Sequence, residues 1–167
     1  VIDKNKIRPG DLLLFRIVKE SCWLGKLIGW FSVFTGNGGT YNRTYGHAAL
    51  CVDQDYYIEQ TFPKSRKTKM CAESPEVELW RVCGLSAASA RKAVGWGLGN
   101  LGKWYNIKHI VSFGCWKGYG CSDFVFNCFK ESGTGVILDK NNNDIVVSPN
   151  EITECGIVEC IDNGGHS

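Results

Sequence analysis

Two apolar runs separated by three polar residues constrain this chain more than any other feature. His47 to Val52 (HAALCV) and Tyr56 to Phe62 (YYIEQTF) read as strands, and Asp53-Gln54-Asp55 between them is turn chemistry. A hairpin implies an antiparallel sheet, and strand alternation then decides which side chains share a face. If the turn takes all three polar residues, His47 lies opposite Thr61 and Glu59 is its diagonal neighbour on the same face. A two-residue turn would instead set Gln60 opposite His47. The longer turn is preferred, because Ile58 and Phe62 then point together to the other, core-facing side.

The rest of the chain supplies partners for that hairpin. Arg8-Pro9-Gly10-Asp11 is a turn, and Leu12 to Val18 follows as a buried strand. Ser21 caps an expected helix over 22–34, apolar at Leu24, Leu27, Ile28 and Phe31, and 35–46 is a glycine-rich loop. Pro63 and the basic run Lys64 to Lys69 read as a solvated loop, with an anion-binding patch as the second reading. Val77 to Val82 is a further strand. Ser86 caps a helix to about Leu101, weakened in its second half by Gly95, Gly97 and Gly99. A helix from Cys121 to Ser132 stops at Gly133, and Asp139 to Asp144 is a polar turn. Ser148-Pro149-Asn150-Glu151 combines a capping box with proline at the first helical position, and Gly156 to Ile161 ends the chain as a strand. With neither repeats nor a linker, residues 1–167 read as one α+β domain.

Composition excludes several classes. The formal net charge of +2 gives no strong pull toward nucleic acid or membrane. No stretch approaches the roughly 20 apolar residues of a bilayer span, and no apolar segment follows Val1-Ile2-Asp3-Lys4 as a signal peptide requires. The nine cysteines are odd in number and form no C-x-x-C pair, which argues against both a disulfide framework and a structural zinc site. Most are expected as small buried hydrophobes in a reducing compartment, such as the cytoplasm of a bacterium or an infected cell, with a phage particle as the alternative setting. Asn42-Arg43-Thr44 is a glycosylation sequon that carries meaning only in a secreted chain.

Cys121 is the exception among the cysteines. It follows Gly118-Tyr119-Gly120 and opens a helix, where unpaired N–H groups and the positive end of the dipole favour a thiolate. The same N–H groups, that of Ser122 included, can hold an oxyanion formed by attack on a carbonyl. A buried capping cysteine is the plain alternative, so the case needs a base. Of the three histidines, His166 lies in a polar tail and His109 has no framing feature, whereas His47 opens a strand after Tyr45-Gly46. An imidazole there can take the thiol proton, and Glu59 is the candidate to fix its ring.

These residues carry a resemblance. Arg8-Pro-Gly-Asp-Leu-Leu-Leu-Phe15, Gly46-His-Ala-Ala-Leu50, Tyr57-Ile-Glu-Gln60, Gly102-Lys-Trp-Tyr-Asn106, Cys121-Ser-Asp-Phe-Val125 and Ser148-Pro-Asn-Glu-Ile152 follow one another in a telling order. The chain resembles the circularly permuted NlpC-type papain-like hydrolases, the YiiX-like group related to lecithin:retinol acyltransferase, with His47 and Glu59 preceding Cys121. The resemblance implies a central antiparallel sheet carrying His47 and Glu59, with the Cys121 helix packed against it. It further implies that Tyr105 lines the substrate site, whose plain alternative is an aromatic packed under the helix. Gly10-Asp11 and the Ser148 box match family positions and read as structural. The prominent loop before His47 and the frequent cysteines depart from the pattern, so substrate does not carry over.

The expected activity is that of a cysteine peptidase or amidase acting on a peptide or cell-wall peptide through Cys121, His47 and Glu59, with no metal or organic cofactor. Lipid acyl transfer or thioester hydrolysis on the same site is the alternative, and a binding module that kept the fold without the activity is another.

Overall fold

The structure is a computed structural model, and it describes residues 2–16, 45–70, 76–105, 120–139 and 147–163. A single 3-10 turn, Lys4–Lys6, precedes strand β1 (Leu12–Arg16), then β2 (Tyr45–Cys51), β3 (Tyr56–Glu59), β4 (Arg66–Lys69) and β5 (Val77–Val82). Helix α1 (Ala87–Gly99), helix α2 (Cys121–Lys130), helix α3 (Pro149–Glu154) and strand β6 (Val158–Asp162) complete the order. The result is an α+β arrangement around a six-stranded antiparallel sheet, in the order β4-β3-β2-β1-β5-β6. No helix of the described residues is long and apolar enough to cross a membrane.

Alternation along the strands divides the core into two layers. Leu12, Leu14, Ala48, Leu50, Ile58, Trp80 and Val82 pack against Ala93 and Val94 of α1, Phe124, Val125, Cys128 and Phe129 of α2, and Ile152 of α3. Leu13, Ala49, Cys51, Tyr57, Val77 and Leu79 face the other way and meet Ile2, Ile7 and Met70. The continuous Leu12-Leu13-Leu14 run is therefore needed, since β1 is covered on both faces.

Two glycines serve close approach. Gly10 has φ +88°, and a Cβ there would come within 2.8 Å of Ala90 Cβ, which seats the turn against α1. A Cβ on Gly97 would lie 2.3 Å from Ile58 Cδ1 and 2.9 Å from Cys128 Sγ. The glycine that weakens α1 by propensity is thus what lets that helix meet β3 and α2.

Helix ends follow their sequence signals. Ser86 Oγ accepts the Ser89 N–H at 3.1 Å. Ser148 Oγ accepts the Glu151 N–H at 3.2 Å while Glu151 Oε2 accepts the Ser148 N–H at 2.7 Å, a reciprocal box with Pro149 just inside. Gly133, at φ +69°, follows the end of α2. Asp11 is 2% exposed and takes Arg81 Nε and Nη2 at 2.8 Å each, with the Arg8 N–H at 2.7 Å, a structural anchor.

Several expectations are corrected. The basic run Lys64 to Lys69 is not a solvated loop throughout: Arg66–Lys69 is β4, paired with β3. The strand expected over Tyr56 to Phe62 stops at Glu59, and Phe62 does not point to the core but is 60% exposed. Beyond Glu59 the chain changes partner, bridging Lys64 to Trp104, with Tyr105 N–H donating to Pro63 O at 2.9 Å. Tyr45 and Gly46, taken as the end of a loop, already belong to β2. Burial holds for Cys51, Cys121 and Cys128, but Cys83 and Cys160 are exposed and Cys155 is intermediate. The expected 22–34 helix, the 35–44 loop, the sequon, His109, His166, Gly118-Tyr119 and most of the 139–144 turn lie outside the described residues.

Candidate active site

The β2–β3 register decides which carboxylate or amide reaches His47. Ala49 pairs with Glu59, Leu50 with Ile58 and Cys51 with Tyr57, the spacing of a three-residue turn. Glu59 is then diagonal to His47 on one face, and the Oε2 to His47 Nε2 distance is 2.7 Å. Gln60 takes the opposite side, fully buried, and its Nε2 donates to Lys103 O at 3.2 Å. Glu59, not Gln60, orients the ring.

Glu59 is 5% exposed, and its second oxygen is also engaged. Oε1 accepts from Arg66 Nε at 2.9 Å and from Thr68 Oγ1 at 2.7 Å, both on β4. Burial pushes this carboxyl up, but the hydrogen bond and charge of His47, with those of Thr68 and Arg66, outweigh burial and bring it down to about 2.

On the other side of the ring stands Cys121. Helix α2 starts after Gly120, in extended conformation, and Asp123 closes the first turn by accepting the Gly120 N–H on Oδ2 at 3.1 Å. Asp123 Oδ1 accepts the Val147 N–H at 2.9 Å, and the Ser122 hydroxyl donates to Val147 O. These bonds pin the helix start, so the thiol is delivered by its N-terminus beside β2. The Ser122 hydroxyl is thereby committed to the backbone of Val147.

The His47 side chain and the Ala48 backbone lie close enough to the Cys121 sulfur to favour its thiolate. With Nε2 on Glu59, Nδ1 is the ring nitrogen left for sulfur. Burial lowers the His47 affinity for a proton, but the bonds to Cys121 and Glu59 and their negative charges raise it to about 10. For Cys121 burial acts upward, as does nearby Asp123, yet the His47 bond and charge and the Ala48 N–H bring the thiol below its usual value. The ring also packs on Phe15, with centroids 5.2 Å apart.

The contrast with neighbouring cysteines is diagnostic. Cys51 and Cys128 are as buried as Cys121, and burial pushes both thiols up, helped at Cys51 by Asp11 and Asp53. Only Cys121, among the described cysteines with a resolved shift, goes down. An imidazole, not burial, makes the difference.

Tyr105 comes to the site through its pairing with Pro63. Its hydroxyl is buried without a hydrogen-bond partner, and burial together with the charges of Cys121 and Asp123 keeps it protonated. Cys121, His47, Glu59, Ser122 and Tyr105 are thus gathered at one place. Arg66 and Thr68 were missed by sequence reasoning, because a strand of alternating Lys, Arg and Thr carries no apolar signal. A second hairpin register counted on from Glu59 was the available clue. No group of three His, Cys, Asp or Glu side chains among the described residues could hold a metal ion. No protein-family model and no curated protein matches the chain.

Proposed function

We propose that this chain is a cysteine-dependent hydrolase of amide bonds in peptides, built on a circularly permuted papain-like fold of the NlpC type. The observation that carries the reading is the His47 ring, which sits beside the Cys121 sulfur and holds Glu59 Oε2 at 2.7 Å from its Nε2. In the resting site the proton sits on nitrogen, leaving a thiolate beside an imidazolium. The sulfur attacks the scissile carbonyl carbon and the carbonyl π pair moves to oxygen. That oxyanion is met by the first-turn N–H groups of α2, that of Ser122 among them, with the protonated Tyr105 hydroxyl close by. His47 passes its proton to the amine nitrogen as the C–N bond breaks, giving a thioester and a free amine. Water then attacks the thioester, His47 takes its proton, and the acid leaves as the thiolate returns.

A cell-wall peptide is the leading substrate. The test sets a muropeptide assay beside a fatty-acyl ester assay, using the full chain and Cys121→Ala. Peptide cleavage that disappears in folded Cys121→Ala is expected. Ester turnover alone would move the substrate to a lipid acyl group, and full activity in the variant would end the proposal.

A further inference from the structure

A glutamate has three side-chain torsions, yet Glu59 must present one oxygen steadily to the imidazole. A carboxylate held only by the ring it orients would exchange its oxygens and swing. In this chain a second strand meets it. Glu59 pairs directly with Arg66, and Tyr57 with Thr68, so Thr68 is the diagonal neighbour of Glu59. Alternation puts both β4 side chains on the face that carries Glu59 and His47. The basic run, unremarkable as sequence, is thereby wired to the site.

We propose that Arg66 and Thr68 are positioning residues for His47: together they clamp Glu59 Oε1, which keeps Oε2 on the imidazole Nε2. The two donors differ in kind. Thr68 is a neutral, partly buried donor at 2.7 Å, while Arg66 donates at 2.9 Å from a side chain that is 61% exposed. Among the described residues, few groups face this line. Glu59 meets His47, Arg66 and Thr68; His47 meets Cys121, Glu59 and the Phe15 ring; Cys121 meets His47, with Asp123 and Tyr105 nearby. Thr68 supplies geometry without charge. Arg66 supplies geometry and a cation, and the cation opposes the imidazolium beyond the carboxylate.

The inference rests on the Cys121–His47 reading, and the experiment separates the two. The His47 ring is titrated by NMR in the full chain, its signal identified by loss in His47→Ala, and Cys121 alkylation by iodoacetamide is followed at neutral pH by peptide mass spectrometry. Thr68→Val should lower the His47 titration by up to about one pH unit, because the bond lost is to Glu59 and only the part of it that holds Oε2 on the ring reaches the imidazole. Alkylation should slow several-fold, and Thr68→Ser should restore both. Arg66→Ala removes a donor and a cation that act oppositely on the ring, so its titration should move less while alkylation slows alike. A purely structural role would lower the melting temperature and leave the titration alone. Variants that are folded, by circular dichroism, and titrate like wild type overturn the clamp while leaving the proposed enzyme in place. Ordinary titration of His47 in wild type overturns both.

Discussion

Glu59 reaches His47 at 2.7 Å from a position diagonal to it, its direct partner across the ladder being Ala49. That diagonal follows from the Asp53-Gln54-Asp55 turn, and one residue fewer would exchange the buried carboxylate for an amide. The charge matters as much as the position, since it helps hold a proton on a ring that burial alone would strip.

Replacing Glu59 with Gln should therefore act on the ring before it acts on the fold. The imidazolium loses a facing negative charge, so the His47 titration falls from about 10 toward its ordinary 6.5. Turnover at neutral pH should drop on the order of tenfold to a hundredfold, with a measurable remainder, as for loss of a charged orienting hydrogen bond. The kcat against pH profile checks it, and its alkaline limb should move to lower pH.

Stability should carry the same signature. His47, raised from 6.5 to about 10, stabilises the fold fully below pH 6.5, and this contribution is lost as pH rises through about 10. Glu59, lowered from 4.5 to about 2, stabilises it fully above pH 4.5, and this is lost as pH falls through about 2. The stability difference between wild type and Glu59→Gln should peak between pH 4.5 and 6.5, where both contributions are complete. Urea unfolding across the pH range measures that difference, and it should shrink at both extremes.

Gly97→Ala tests how the helices are seated. Alanine favours a helix interior by about 1 kcal/mol, but its Cβ would fall 2.3 Å from Ile58 Cδ1 and 2.9 Å from Cys128 Sγ. Overpacking of this kind costs roughly 1–3 kcal/mol, so a net loss of up to about 2 kcal/mol is expected in urea unfolding. Gly95→Ala, which meets nothing within 4 Å, should stabilise instead.

Much of this was legible in the sequence because local rules decided it. The turn length set the β2–β3 register, the Ser148-Pro149-Asn150-Glu151 box set the start of α3, and a cysteine after Gly120 marked a helix N-terminus. Where the reading failed, the deciding contact was distant in sequence. Arg66 and Thr68 form a strand because Glu59 and its neighbours offer a ladder, and no apolar alternation announces an edge strand of Lys, Arg and Thr. Phe62 leaves the core because the chain after Glu59 turns to pair with 102–105. Gly97 reads as a helix weakness until Ile58 and Cys128 are seen against it.

The central claim is that an imidazole ionises the Cys121 thiol, and the rate of Cys121 alkylation against pH measures this directly. Wild type should show a reactive thiolate well below the ordinary thiol range of about 8.5, and His47→Ala should return it to that value or above. A wild-type profile with an ordinary thiol step, unmoved by His47→Ala, would contradict the account.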